Sequence, residues 1–61
     1  SWITWLLSHL PERERQVVAC LDVVGLDSET TAAALRLSPG AVRVAHHRAL
    51  KKLRALGADV G

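Results

Sequence analysis

Sixty-one residues with a net charge of +2 make one small domain, near the lower limit at which a hydrophobic core sustains itself. Hydrophobic residues reach 49%, yet Trp2 and Trp5 are the only large aromatics, so that core must be built from Leu, Val and Ala. No apolar run is long enough to span a bilayer, SWITWLLSHL lacks the basic start and small-residue cleavage site of a secretory signal, and one cysteine excludes an internal disulfide framework.

That cysteine, Cys20, sits beside Val17, Val18 and Leu21, and is expected to be buried packing in a protein of the reducing cytoplasm. The chain has no Met and opens abruptly on an apolar segment, as a domain cut from a longer protein would.

Turn and cap signals divide the chain into four helical pieces, at about 1–9, 11–24, 28–36 and 39–56, with no strand alternation. The first carries Trp2, Ile3, Trp5, Leu6 and Leu7 and ends at Leu10-Pro11, because a residue before proline is pushed out of the helical region. Pro11 suits the first turn of the second helix, where its missing N–H costs nothing. Glu12 and Glu14 then face the positive end of the helix dipole. Val17, Val18, Leu21 and Val24 follow at one-face spacing, and Gly25 is a plausible stop.

Asp27 is a good N-cap for a short third helix with small side chains, Thr31, Ala32, Ala33 and Ala34, followed by Leu35. Ser38-Pro39 opens the fourth after a gap of a few residues. A short apolar helix, a tight turn and a long basic helix make the outline of a helix-turn-helix. The fold class expected is therefore all-α: a four-helix helix-turn-helix domain, winged-helix-like but without the wing.

Charge is sorted along the chain. Ser1 to Leu37 sets three arginines against Glu12, Glu14, Asp22, Asp27 and Glu29, whereas Ser38 to Leu56 holds Arg43, Arg48, Lys51, Lys52 and Arg54 and no acid. Such a surface suits a polyanion, because each cation beside a phosphate releases condensed counterions. At roughly 100° per residue with Arg43 at zero, Val42, His46, Ala49, Leu50, Leu53 and Leu56 fall within about 120° and should face the core. Opposite them lie His47, Lys51, Val44, Arg48 and Lys52, with Arg43 and Arg54 at the border. A helix divided this way can pack on a domain and lie in a major groove at once.

The run LPERERQVVACLDVVGLDSETTAAALRLSPGAVRVAHHRALKKLRAL resembles region 4 of group IV (extracytoplasmic-function) bacterial sigma factors. The resemblance rests on LPERERQV, the step Gly25-Leu26-Asp27, the start SPGAV and the close HRALKKLR; VRVAHHRAL looks like an actinobacterial branch. It implies docking on the β flap of RNA polymerase and reading of the −35 promoter element in double-stranded DNA. It also implies an anti-sigma partner. Carried over residue by residue, the DNA contacts fall on Arg43, Val44, Ala45, His47 and Arg48, with Pro39, Gly40 and Ala41 against the backbone. Three positions depart from the family pattern, which often has Thr at Ala41, Ser at Val44 and Arg at Ala45. Arg36 also stands where the turn usually has glycine, which demands a conformation tolerable to a Cβ or a small strain.

Physical roles follow. Arg43 suits bidentate contact to guanine O6 and N7; Arg48, Lys51 and Lys52 suit phosphates; and Arg54 is too far along to meet bases. His47 donates to a phosphate or base edge, better when protonated. Val44 is either an ordinary exposed valine or a contact to a thymine methyl. His46 is expected at the core edge with one nitrogen satisfied, and His9 at the surface or as a cap. His46 and His47 point about 100° apart and make no chelate, and no zinc spacing or other metal or cofactor site is present. Ser8, Ser28, Ser38 and Cys20 lack a His-plus-acid setting, so no enzyme is expected. The acids Glu12, Glu14, Asp22, Asp27 and Glu29 are accounted for as caps and solvated faces.

Two other functions compete. A LuxR-type response-regulator effector domain shares the outline, but LP before ERER and a last helix continuing through KKLR disfavour it. A module acting mainly as an anti-sigma binding surface would use Trp2, Trp5 and Leu6 as its partner site. Against that, these residues could simply close the core, the favoured reading for at least one tryptophan. The isolated domain is expected to be a monomer with no membrane insertion.

Overall fold

The computed structural model describes residues 1–57 as four helices with no strand among the described residues. α1 runs Trp2–Ser8, α2 Glu12–Val18, α3 Ser28–Leu35 and α4 Pro39–Ala55. All four expected helices are present, with ends shifted by a residue or two. The exception is the second: α2 passes at Ala19 into a π-helical segment, Ala19–Val24. There the N–H groups of Gly25 and Leu26 both donate to the carbonyl of Cys20, at 3.0 and 2.8 Å, with Gly25 left-handed at φ 88°. A 3.6-residue period in the sequence carries no sign of such a wider turn.

Local chemistry fixes most of the helix ends. Ser1 caps α1, accepting from the Thr4 N–H at 3.2 Å. Asp27 caps α3 by accepting from the Thr30 N–H at 2.7 Å. Ser38 caps α4 by accepting from the Ala41 N–H at 3.1 Å, with Pro39 in the first turn. Pro11 lies one position outside α2, in extended geometry, rather than in its first turn. His9 ends α1, and its Nδ1 lies 2.8 Å from the Trp5 carbonyl, as a capping role requires.

The turn between α3 and α4 is closed by a Schellman pair. The Leu37 N–H donates to the Ala32 carbonyl at 2.9 Å and the Arg36 N–H to Ala33 at 3.4 Å. That pattern requires a left-handed residue, and Arg36 supplies it at φ 57°, ψ 46°. It is the one non-glycine residue with positive φ among those described. Of the two outcomes expected where the turn glycine is replaced, Arg36 takes the small left-handed region open to a Cβ-bearing residue, at a modest backbone cost.

Two clusters fill the core, one on each side of α2. Val17, Ala32, Val42 and Ala45 join α2 to α3 and α4, with Leu21, Leu35 and Leu37 packed around them. Leu6, Leu10, Val18, Ala49 and Leu53 join α1 and α2 to the rear of α4, with Leu7 and Leu50 at the edge. Alanines at 32, 45 and 49 let the helices approach closely. Cys20, expected to be buried, is only half-buried at the π segment.

Candidate nucleic-acid interface

The buried stripe of α4 decides which of its side chains are offered outward. Val42, Ala45, Ala49 and Leu53 are buried, an arc of roughly 200–280° on the wheel that puts Arg43 at zero. The sequence placed the centre of this stripe about 40° further round, and that rotation changes the assignments of Ala45, Leu50 and Lys52.

Ala45, expected among the DNA contacts, is 7% exposed and packs with Val17, Ala32 and Val42. Its side chain belongs to the core, because at this position α3 presses against α4. His46 and Leu50 fall at the edge of the stripe and are half-buried. Leu56, expected to face the core, caps the end of α4 and is 41% exposed. Lys52, expected to face phosphates, stands on the opposite flank of the stripe, where its ammonium donates to Glu14 Oε2 at 2.8 Å.

Each flank of the stripe carries one acid–base pair to the second helix. On one side Lys52 meets Glu14 of α2. On the other His46 Nε2 lies 2.8 Å from Asp22 Oδ2 of the π segment. The expectation that His46 sits at the core edge with one nitrogen satisfied agrees with this contact. Reading the acids as caps and solvated faces holds for Asp27 and for the exposed Asp22, which is nonetheless paired, but not for Glu14. Glu14 is 9% exposed, and the sequence did contain the clue. Glu14, Val17, Val18 and Leu21 stand at i, i+3, i+4 and i+7, so the glutamate continues the apolar stripe by one turn.

With those flanks engaged, the outward arc of α4 holds Gly40, Arg43, Val44, His47, Arg48 and Lys51, all exposed, with Ala41 half-buried at its rim and Pro39 exposed at the helix start. Val44 is 48% exposed in the middle of that arc, flanked by cations. Ser38 and Pro39 hold the start of the helix open, so the Gly40 backbone is unobstructed: a Cβ there would meet nothing nearer than 3.9 Å. This is a basic helical face with no acid on it. No group of three or more His, Cys, Asp or Glu residues could hold a metal among the described residues.

Residues 2–53 match the family described as sigma-70, region 4. The chain belongs to the sigma-70 region 4 family. It is 52% identical over 56 residues, 92% of this chain, to the ECF RNA polymerase sigma factor ShbA of Streptomyces griseus. Over 49 residues it is 51% identical to the ECF RNA polymerase sigma factors SigD of Mycobacterium bovis and of Mycobacterium tuberculosis. The alignment covers 29% of the Streptomyces protein and 23% of the mycobacterial ones. In this region 4 domain the family assignment decides for the sigma factor outline over the response-regulator one. Both sets of relatives are actinobacterial, in keeping with the resemblance seen in VRVAHHRAL.

The candidate protein-binding residues of this region 4 domain separate in the structure. Leu6 is 6% exposed and lies in the rear cluster, so it is core and not partner surface. Trp2 and Trp5 are 65% and 52% exposed. The favoured expectation, that at least one tryptophan closes the core, is overturned. A seven-residue helix seated through Leu6 and half of Leu7 turns its larger side chains outward. No helix among the described residues is long and apolar enough to cross a membrane.

Proposed function

We propose that this domain, a single unit of a longer cytoplasmic sigma factor, recognises the −35 element of promoter DNA by laying α4 in the major groove. The observation that carries this reading is the acid-free arc of Arg43, Val44, His47, Arg48 and Lys51. Arg43, one turn into the helix, reads guanine through O6 and N7. Arg48 and Lys51 hold phosphates, Pro39, Gly40 and Ala41 ride against the backbone, and His47 donates at the boundary between the two. Val44 supplies an apolar contact to a thymine methyl. The domain is a monomer, without enzymatic chemistry, that docks on the β flap of RNA polymerase. Trp2, Ile3 and Trp5 give an anti-sigma factor an apolar face on α1.

The test is binding to duplexes selected from a randomised pool, measured against salt and against scrambled competitors. Arg43→Gln is expected to flatten discrimination at one position by about 1–3 kcal/mol while leaving scrambled DNA largely unaffected. Lys51→Gln should weaken both DNAs alike and reduce the salt slope by about 0.9. Equal losses on both DNAs for both variants would show that α4 does not divide its work in this way. For Val44, replacing thymine by uracil should cost the wild type affinity and cost Val44→Ser nothing.

A further inference from the structure

Glu14 is the buried ionisable group for which neither fold nor DNA reading gives a reason. Its carboxylate is nearly enclosed, Oε2 accepts from Lys52 at 2.8 Å, and Oε1 is buried with no hydrogen-bond partner. Burying a carboxylate that is only half satisfied, against a lysine that stays largely exposed, is a poor device for stability, since an apolar residue of similar volume often does as well or better. Its place is more telling. Glu14 and Arg48 together wall two concavities between α2 and α4: one continues to Gly40, Ala41 and Val44 on the reading face, the other to Lys51 and Lys52. The carboxylate thus stands directly behind the side chains offered to phosphate.

Resting on the DNA-binding reading above, we propose that Glu14 is a positioning residue of the interface, holding Lys52 off the phosphates while Lys52 masks its negative charge. Lys52 then acts on DNA through Glu14 rather than by contact. The arrangement sets the number of phosphates that α4 neutralises below the number of cations on it. The domain consequently binds less tightly and with a shallower salt dependence than its charge implies, leaving base contacts a larger share of the selectivity.

The experiment is a double-mutant cycle of Glu14→Gln and Lys52→Gln, with Lys51→Gln as the phosphate-contact reference. Affinity for the selected duplex is measured from low to moderate salt, and circular dichroism checks the fold. Glu14→Gln frees Lys52 for a phosphate: it should tighten binding by up to roughly eightfold at 0.1 M salt and steepen the slope by up to about 0.9. Lys52→Gln exposes an unmasked carboxylate and should weaken binding without a change in slope. Glu14→Gln with Lys52→Gln should return to near the wild type. A Lys52→Gln slope reduced like that of Lys51→Gln, with no rescue in the double variant, overturns the proposal while leaving DNA recognition intact. Absence of selective DNA binding by the wild type overturns both. Should Glu14→Gln fail to fold, Lys52→Arg carries the test, keeping wild-type affinity and slope where Lys52→Gln loses affinity alone.

Discussion

The two ends of this domain use the same kinds of residue to opposite effect. In the α3–α4 half, helices are capped by Asp27 and Ser38, and the apolar residues Ala32, Val42 and Ala45 are buried. Even the turn between the helices accepts a left-handed arginine to keep its geometry. α1 also has a side-chain cap, Ser1, but it commits chiefly Leu6 to the core and leaves Trp2, Ile3 and Trp5 exposed. The difference follows from helix length and neighbours. α4, with seventeen residues, is held from one side along its whole length, whereas seven residues of α1 offer barely two turns to α2. One half is specified by packing; the other leaves its largest apolar side chains exposed.

The strongest way to break this comparison is to remove packing where α1, α2 and α4 meet. Leu53 is nearly fully buried and lies in the cluster joining α1 and α2 to α4. Leu53→Ala should cost about 2–5 kcal/mol, most of what a domain of this size possesses. Loss of the cooperative thermal transition followed by circular dichroism is the expected result. A melting curve within a few degrees of the wild type would show that α4 is not the common support.

A smaller effect, of opposite sign, should come from the turn. Arg36 pays the left-handed penalty of a Cβ-bearing residue, of order 1 kcal/mol. Arg36→Gly should therefore raise stability by about 0.5–1 kcal/mol, which in a domain this small moves Tm upward by a few degrees. A lower Tm would mean that the arginine side chain holds the turn by contacts that outweigh its backbone cost. On α1 the expectation is near zero: Trp2→Ser should change stability by less than about 0.5 kcal/mol, while weakening capture by an anti-sigma factor. Strong tryptophan quenching by acrylamide in the wild type should accompany it.

Much of this was legible in the chain. Caps at Asp27 and Ser38, the stop at Gly25 and the apolar spacing of α2 and α4 are local signals, and local signals located all four helices. What stayed hidden depends on how helices meet. Ala45 looks neutral on a wheel, and only the approach of α3 makes it core. Lys52 looks like part of a basic face until the stripe turns by about 40° and brings it to Glu14. The tryptophans misled for the opposite reason: size and apolarity argue for burial, but a short helix buries whichever side faces its neighbour, and that side carries Leu6.

The finest contrast between the halves lies in their caps. The Ser1 cap is a hydroxyl, which does not ionise across the ordinary pH range, so α1 gains nothing from ionisation of its cap. The Asp27 carboxylate is held below its usual pKa of 3.8 by accepting hydrogen bonds from Thr30, chiefly from its backbone N–H. A group whose pKa is lowered by folding contributes stability that is fully present above its unfolded value and disappears as pH falls through the folded one. The Asp27 contribution should accordingly be constant from neutrality down to about pH 5 and fade below the ordinary aspartate range. Asp27→Asn keeps a good cap but cannot titrate. Thermal melts of both proteins between pH 7 and pH 2 should show the wild-type advantage shrinking toward zero at the acid end. An advantage that stays constant with pH would mean the carboxylate charge contributes nothing, leaving α3 capped in the same neutral manner as α1.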